Sequence, residues 1–117
     1  MILVDTSVWV DHFRRGNAGL VASLEVGEVT THPFVIGELA CGHLRARRQI
    51  LSMLAGLPTV NVLSHDEVLH FLHARKLEGL GLGWIDVHLL ASATLSGVLL
   101  WTLDRRLGEA QTRIAPS

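Results

Sequence analysis

The chain predicts an α/β fold, a central parallel sheet with helices on both of its faces. Short β-prone runs alternate with segments of helical period along the whole length. The first and last long strand candidates, Ile2-Leu3-Val4 and Val98 to Leu103, are strongly apolar runs, as strands covered on both faces are. The segments between them are long enough for crossover helices. The 117 residues are 49% hydrophobic, with a mean hydropathy of +0.37. That is the size of one domain with material for its own core, and it excludes disorder as the main state.

The elements follow in order. Ile2-Leu3-Val4 is a first strand, ended by Asp5-Thr6-Ser7, a cluster of good helix N-caps. Val8 to Arg14 reads as a short helix and Leu20 to Leu24 as part of another. Val29-Thr30-Thr31 is a brief strand. Pro33 at a first helical position and Gly42 at a C′ position bracket a helix of about eight or nine residues. Arg45 to Leu54 has helical period and stops before Gly56 and Pro58, and Val60-Asn61-Val62 is the next expected strand. Ser64-His65-Asp66-Glu67 has the spacing of a capping box and opens a helix that Gly79, Gly81 and Gly83 terminate. A strongly apolar helix runs from Trp84 or Ile85 to about Ser96. Val98 to Leu103 is a buried strand, Leu107 to Ala110 a helical turn or two, and Arg113-Ile114 a short edge strand.

Several function classes fall away on composition. The net charge of −1 and pI near 6.6 provide no global basic field. Cys41 is the only cysteine, so there is no internal disulfide and no cysteine-rich zinc ribbon, and a reducing, cytoplasmic setting is expected. Val87 to Leu103 approaches membrane-spanning length. It is bounded by Asp86 and Asp104 and broken by Gly97, which reads as helix, turn and strand rather than a span. The N-terminus has no basic region and reaches Asp5 after three apolar residues, so no signal peptide is expected.

Four carboxylates occupy informative places. Asp5 and Asp104 each follow a strand, where parallel sheets place their ligands. Asp86 lies in the first turn of the most apolar helix, and Glu38 is the sole charge between Pro33 and Gly42. Each has a purely structural alternative. Asp5 and Asp104 could cap helices, Asp86 could stabilise a helix dipole, and Glu38 could pair with an arginine. Buried without a partner, Glu38 would cost several kcal/mol. Converging carboxylates repel, and a hard divalent cation, Mg²⁺ or Mn²⁺, suits an oxygen set without His or Cys. An ion there would lower the pKa of a bound water and neutralise charge on a phosphate.

The segments Ile2 to Asp11, His32 to Leu39, Trp84 to Ala93 and Leu100 to Leu107, in this order and spacing, resemble PIN-domain ribonucleases of the VapC kind, the toxins of type II toxin–antitoxin pairs. The resemblance implies one PIN-like domain over residues 1–117, an α/β/α sandwich, and metal-dependent cleavage of single-stranded RNA regions. It implies Asp5, Glu38, Asp86 and Asp104 as the acidic set. Asp5 and Asp86 would be direct metal ligands, Asp104 a direct or water-mediated one, and Glu38 the residue that completes the shell or orients the attacking water. Thr6 or Ser7 and Thr102 match hydroxyl positions that steady these acids. A small VapB-type antitoxin and a homodimer are the implied protein partners.

Among the basic residues, Arg14, Arg15, Arg105 and Arg106 are the candidates for RNA phosphate contacts, because they trail the helices opened by the Asp5 and Asp104 segments. The histidines are expected to be surface or structural, with His32 ending a strand, and Cys41, Trp9, Trp84 and Trp101 are expected in the core, leaving little for base stacking. An aspartyl phosphotransferase or phosphatase is a competing reading. It lacks its second early acid, since Ser7 stands there, and has only Lys76 as a lysine. A non-catalytic PIN-like interaction module is another, and it has no reason to retain all four acids.

Overall fold

The computed structural model describes residues 1–116. The order of elements is β1 (Ile2–Val4), α1 (Thr6–Arg15), α2 (Ala18–Glu25), β2 (Val29–Thr30), α3 (Pro33–Ala40), α4 (Arg47–Ala55), α5 (His65–Ala74), α6 (Trp84–Ser96), β3 (Leu99–Trp101) and α7 (Arg105–Ile114). The three strands form one parallel sheet in the order β2-β1-β3. Ile2 pairs with both Val29 and Leu99, and Val4 pairs with Trp101. The expected α/β architecture is therefore present, with β1 central. Successive connections leave β1 in opposite directions, so a crevice opens at the C-terminal ends of β1 and β3.

The core lies where the apolar runs place it. Leu3, Val4, Val8, Trp9, Leu20 and Leu54 are fully buried, as are Leu89 and Leu90 on α6. Local signals set the helix starts. Asn17 Oδ1 accepts from the Leu20 amide at 3.0 Å, and the Ser64–Glu67 box is reciprocal at 3.1 and 2.9 Å. Pro33 occupies the first turn of α3, and Gly97 ends α6 with φ of 70°.

Two expected strands are absent. Val60-Asn61-Val62 forms no strand: the single parallel bridge joins Thr31 to Thr59, just before it, and the Val60 amide donates to the Thr31 carbonyl at 3.0 Å. Pro33 turns the chain into α3 directly after β2, leaving no extended partner for Val60 to Val62, and Val62 is exposed. Arg113-Ile114 is the end of α7, because Leu107, Ala110 and Ile114 recur at helical spacing on its inner face. The strand at Val98 to Leu103 is shorter than expected and only partly buried. β3 is an edge, and Leu99 is 60% exposed. The Gln111 amide covers that edge: Leu100 N–H donates to Oε1 and Nε2 donates to the Leu100 carbonyl, both at 2.8 Å. It thereby stands in for the peptide group of a neighbouring strand.

Candidate active site

Asp5 is the residue just beyond β1, and its amide donates to the Trp101 carbonyl at 2.9 Å, which ties it to β3. It sits at the N-cap position of α1, yet its side chain makes no capping hydrogen bond. Instead Oδ2 accepts from Ser7 Oγ and Thr102 Oγ1, each at 2.7 Å. The residue is 6% exposed. The capping alternative thus fails for Asp5: two hydroxyls hold one oxygen of a buried carboxylate while Oδ1 is left without a protein donor among the described residues.

Asp104 behaves otherwise. Its Oδ1 accepts from the Leu107 amide at 3.1 Å, so it does cap α7, with Oδ2 to spare. The Asp104 amide donates to Thr102 Oγ1 at 3.0 Å, and one hydroxyl therefore steadies both aspartates. Asp86 is anchored through Oδ2 by the Gly83 amide at 3.0 Å in the first turn of α6. Burial raises its pKa above the ordinary carboxylate range. The Gly83 hydrogen bond opposes that shift, and the negative charges of Asp104 and Asp5 add to it. The three aspartates thus share one electrostatic neighbourhood.

Glu38 joins through Thr6, whose Oγ1 donates to Oε1 at 3.0 Å. It is exposed rather than buried, so the desolvation cost expected from its apolar helix does not arise. The hydroxyls divide their work: Thr6 holds Glu38, while Ser7 and Thr102 hold Asp5. Among the described residues no three His, Cys, Asp or Glu side chains form a ready-made ligand set for an ion. The Gly83 amide was not foreseen; its signal is the three-residue spacing from Gly83 to Asp86, a capping box with no side chain at its first position.

The four arginines separate. Arg15 pairs with Asp11 and Arg105 with Glu109, both one helical turn away on exposed faces. Arg14 lines a cleft of about 510 Å³ together with Thr6, Val10, Phe13 and Glu38. Arg106 lies across Gly81 in the loop leading to Asp86. Gly81 has φ of +78°, and a Cβ there would meet Arg106 Nη1 at 2.8 Å.

Two other expectations, for Cys41 and for two of the tryptophans, are corrected, and His32 takes the structural place expected of it. Cys41 is exposed, because α3 ends there and Gly42 turns the chain outward. Trp84 is 38% exposed and Trp101 half-buried, so only Trp9 is fully in the core. His32, expected at the end of a strand, is wholly buried and caps α3 by accepting the Phe34 amide on Nδ1 at 3.0 Å. Neutral His32 therefore carries its proton on Nε2. Burial, with a smaller contribution from the neighbouring His88, pulls its pKa from 6.5 down to about 4. The resulting stability is fully present above pH 6.5 and is lost as pH falls through about 4. Allowing for solvent screening, the loss amounts to about 2 kcal/mol. His32→Asn keeps a capping oxygen; its melting temperature is expected to be lower at pH 7.5 but to fall less on acidification than that of the parent. Parallel acid melting profiles would refute this assignment.

A central parallel sheet with Asp5 and Asp104 beyond the C-terminal ends of its strands and Asp86 in the first turn of α6 defines the class, and comparison with known proteins agrees. The profile of the PIN domain matches residues 2–112, and the chain belongs to the PIN-domain family. Within it, the chain is 49% identical over 111 residues to "Ribonuclease VapC32" of Mycobacterium tuberculosis, in both strain CDC 1551 / Oshkosh and strain ATCC 25618 / H37Rv. The alignment covers 94% of this chain and 90% of the relative. Among solved structures, PAE2754 from Pyrobaculum aerophilum superposes with a TM-score of 0.65 at 22% identity, covering 96% of this chain and 80% of that one, a likeness of fold.

Proposed function

We propose that the protein is a divalent-metal-dependent endoribonuclease and the toxin of a type II toxin–antitoxin pair. The observation that carries this is Asp5, a buried carboxylate with one oxygen fixed by two hydroxyls and the other uncommitted, in the field of Asp86 and Asp104. The 49% identity to a protein named as a ribonuclease supports it independently.

The donor set fits Mg²⁺ or Mn²⁺: hard carboxylate oxygens, each anchored on one side, and no soft ligand nearby. Mg²⁺ commonly takes one or two carboxylates and keeps several waters, so a complete protein cage is not required. Asp5 and Asp86 would hold the ion, with Asp104 beside them. When bound, the ion supplies charge neutralisation at the scissile phosphate and lowers the pKa of a water. Ser7 and Thr102 keep Asp5 in one orientation. Glu38, held on one oxygen by Thr6, presents the other to orient the attacking water. In-line attack leaves 5′-phosphate and 3′-hydroxyl ends. Arg14 and Arg106, which face the cleft and the Asp86 loop, are better placed for RNA phosphates than Arg15 and Arg105.

The cleft beside Glu38, lined by Val10, Phe13, Leu39 and Ile50, is where an amphipathic segment of a VapB-type antitoxin would dock and cover the site. Exposed Leu95 and Leu99 offer apolar surface for a homodimer. No helix among the described residues is long and apolar enough to cross a membrane, and a cytoplasmic setting belongs to the same reading. Protein freed of antitoxin is expected to cut unstructured RNA with Mg²⁺ or Mn²⁺ and to stop on chelation. Undiminished cleavage in excess EDTA would contradict the proposal.

A further inference from the structure

Of the aromatic carbon rings in the described chain, Phe34 and Trp84 are the two left substantially exposed, at 36% and 38%. They lie on different helices yet meet the same residue. The ring of His88, 4% exposed, stands 4.8 Å from Phe34 and 4.9 Å from Trp84, edge-on to both. Trp84 and His88 are one turn apart on α6, and His32 wedges the inner side of Phe34 at 4.9 Å. A further ring, His65 at the start of α5, packs against Trp84 at 5.0 Å. Buried imidazoles thus hold two exposed rings in fixed orientations.

Their placement relative to the acids indicates what they meet. Trp84 shares the first turn of α6 with Asp86, and Phe34 is four residues before Glu38 on α3, hence on the same face. Both rings therefore belong to the helices that carry Glu38 and Asp86, within one turn of each acid in sequence.

We infer that Phe34 and Trp84, braced by His88, form a stacking platform for unpaired bases flanking the scissile phosphate. The inference rests on the ribonuclease reading and adds the side chains that would hold the unpaired bases beside the scissile phosphate. Aromatic faces accept any base, and bases paired in a duplex cannot reach them. Rings already held in place lose little freedom on binding, which favours affinity.

The test measures binding of labelled, unstructured oligoribonucleotides by fluorescence anisotropy in Mg²⁺, using Asp5→Asn protein so that the RNA survives. Trp84→Ala and Phe34→Ala are each expected to weaken binding about tenfold, and Trp84→Phe to restore most of it. An abasic analogue at one position near the cleavage point should cost the parent a similar factor and cost Trp84→Ala nothing further. Equal affinities for parent and both alanine variants, while wild type still cuts the same RNA, would overturn the platform and leave the ribonuclease reading intact. A change of oligomeric state in Trp84→Ala with RNA affinity unchanged would assign the ring to contacts between copies and overturn it as well. Failure of wild type to cut any RNA in Mg²⁺ would overturn both readings. Retained folding of Trp84→Phe, read by melting, separates lost stacking from lost structure.

Discussion

Asp5→Asn is expected to reduce RNA cleavage by on the order of 10³-fold, because in the proposed mechanism charge stabilisation at the phosphate worth several kcal/mol would depend on this carboxylate. The same substitution is expected to raise the melting temperature in EDTA. Asparagine keeps an oxygen for Ser7 and Thr102 and removes one of three neighbouring charges. Two like charges about 4 Å apart repel by up to ~4 kcal/mol at an effective dielectric near 20, and relaxation brings the net gain to on the order of 1 kcal/mol. The pH dependence has a definite sign. Because the Asp86 pKa is raised in the fold, its protonated form stabilises the protein at low pH, and that contribution is lost as pH rises through the raised value. Removing the Asp5 charge should make this loss smaller. Melting in EDTA across the carboxylate range measures both effects.

Thr102→Val has the second largest expected effect. The hydroxyl donates to Asp5 Oδ2 and accepts from the Asp104 amide, so an isosteric valine frees one carboxylate and orphans one N–H. Loss of such an orienting partner typically costs about 10- to 100-fold in activity. The lost hydrogen bonds should also cost about 1–2 kcal/mol in a urea titration. Thr102→Ser should recover most of both. A valine variant within twofold of the parent in kcat/KM would show that Ser7 alone positions Asp5.

Legibility in the sequence depended on whether a signal was local. Ile2-Leu3-Val4, the Ser64–Glu67 capping box and the proline and glycine around α3 act through their own backbone and neighbours, and those elements stand where they were expected. A strand needs a partner, and Val60 to Val62 lost theirs when Pro33 turned the chain away after two residues of β2. Burial is also a tertiary property. Glu38, Cys41 and Trp84 sit among apolar neighbours in sequence but face outward. The aspartates illustrate both cases. Asp5 and Asp104 look alike as acids after strands, yet Asp104 caps its helix and Asp5 does not. The difference arises from Thr102, ninety-seven residues from Asp5 and adjacent only because β3 pairs with β1.

In the proposed function Asp5, Asp86 and Asp104 would make one cation site beyond the ends of β1 and β3. The most direct test is the melting temperature of wild type and Asp5→Asn, each with EDTA and with increasing Mg²⁺. A ligand bound only by the folded state raises stability with its concentration. Wild type is expected to gain stability progressively with Mg²⁺ while Asp5→Asn, starting higher, gains several-fold less. Equal shifts in the two proteins, or none in wild type, would contradict the account.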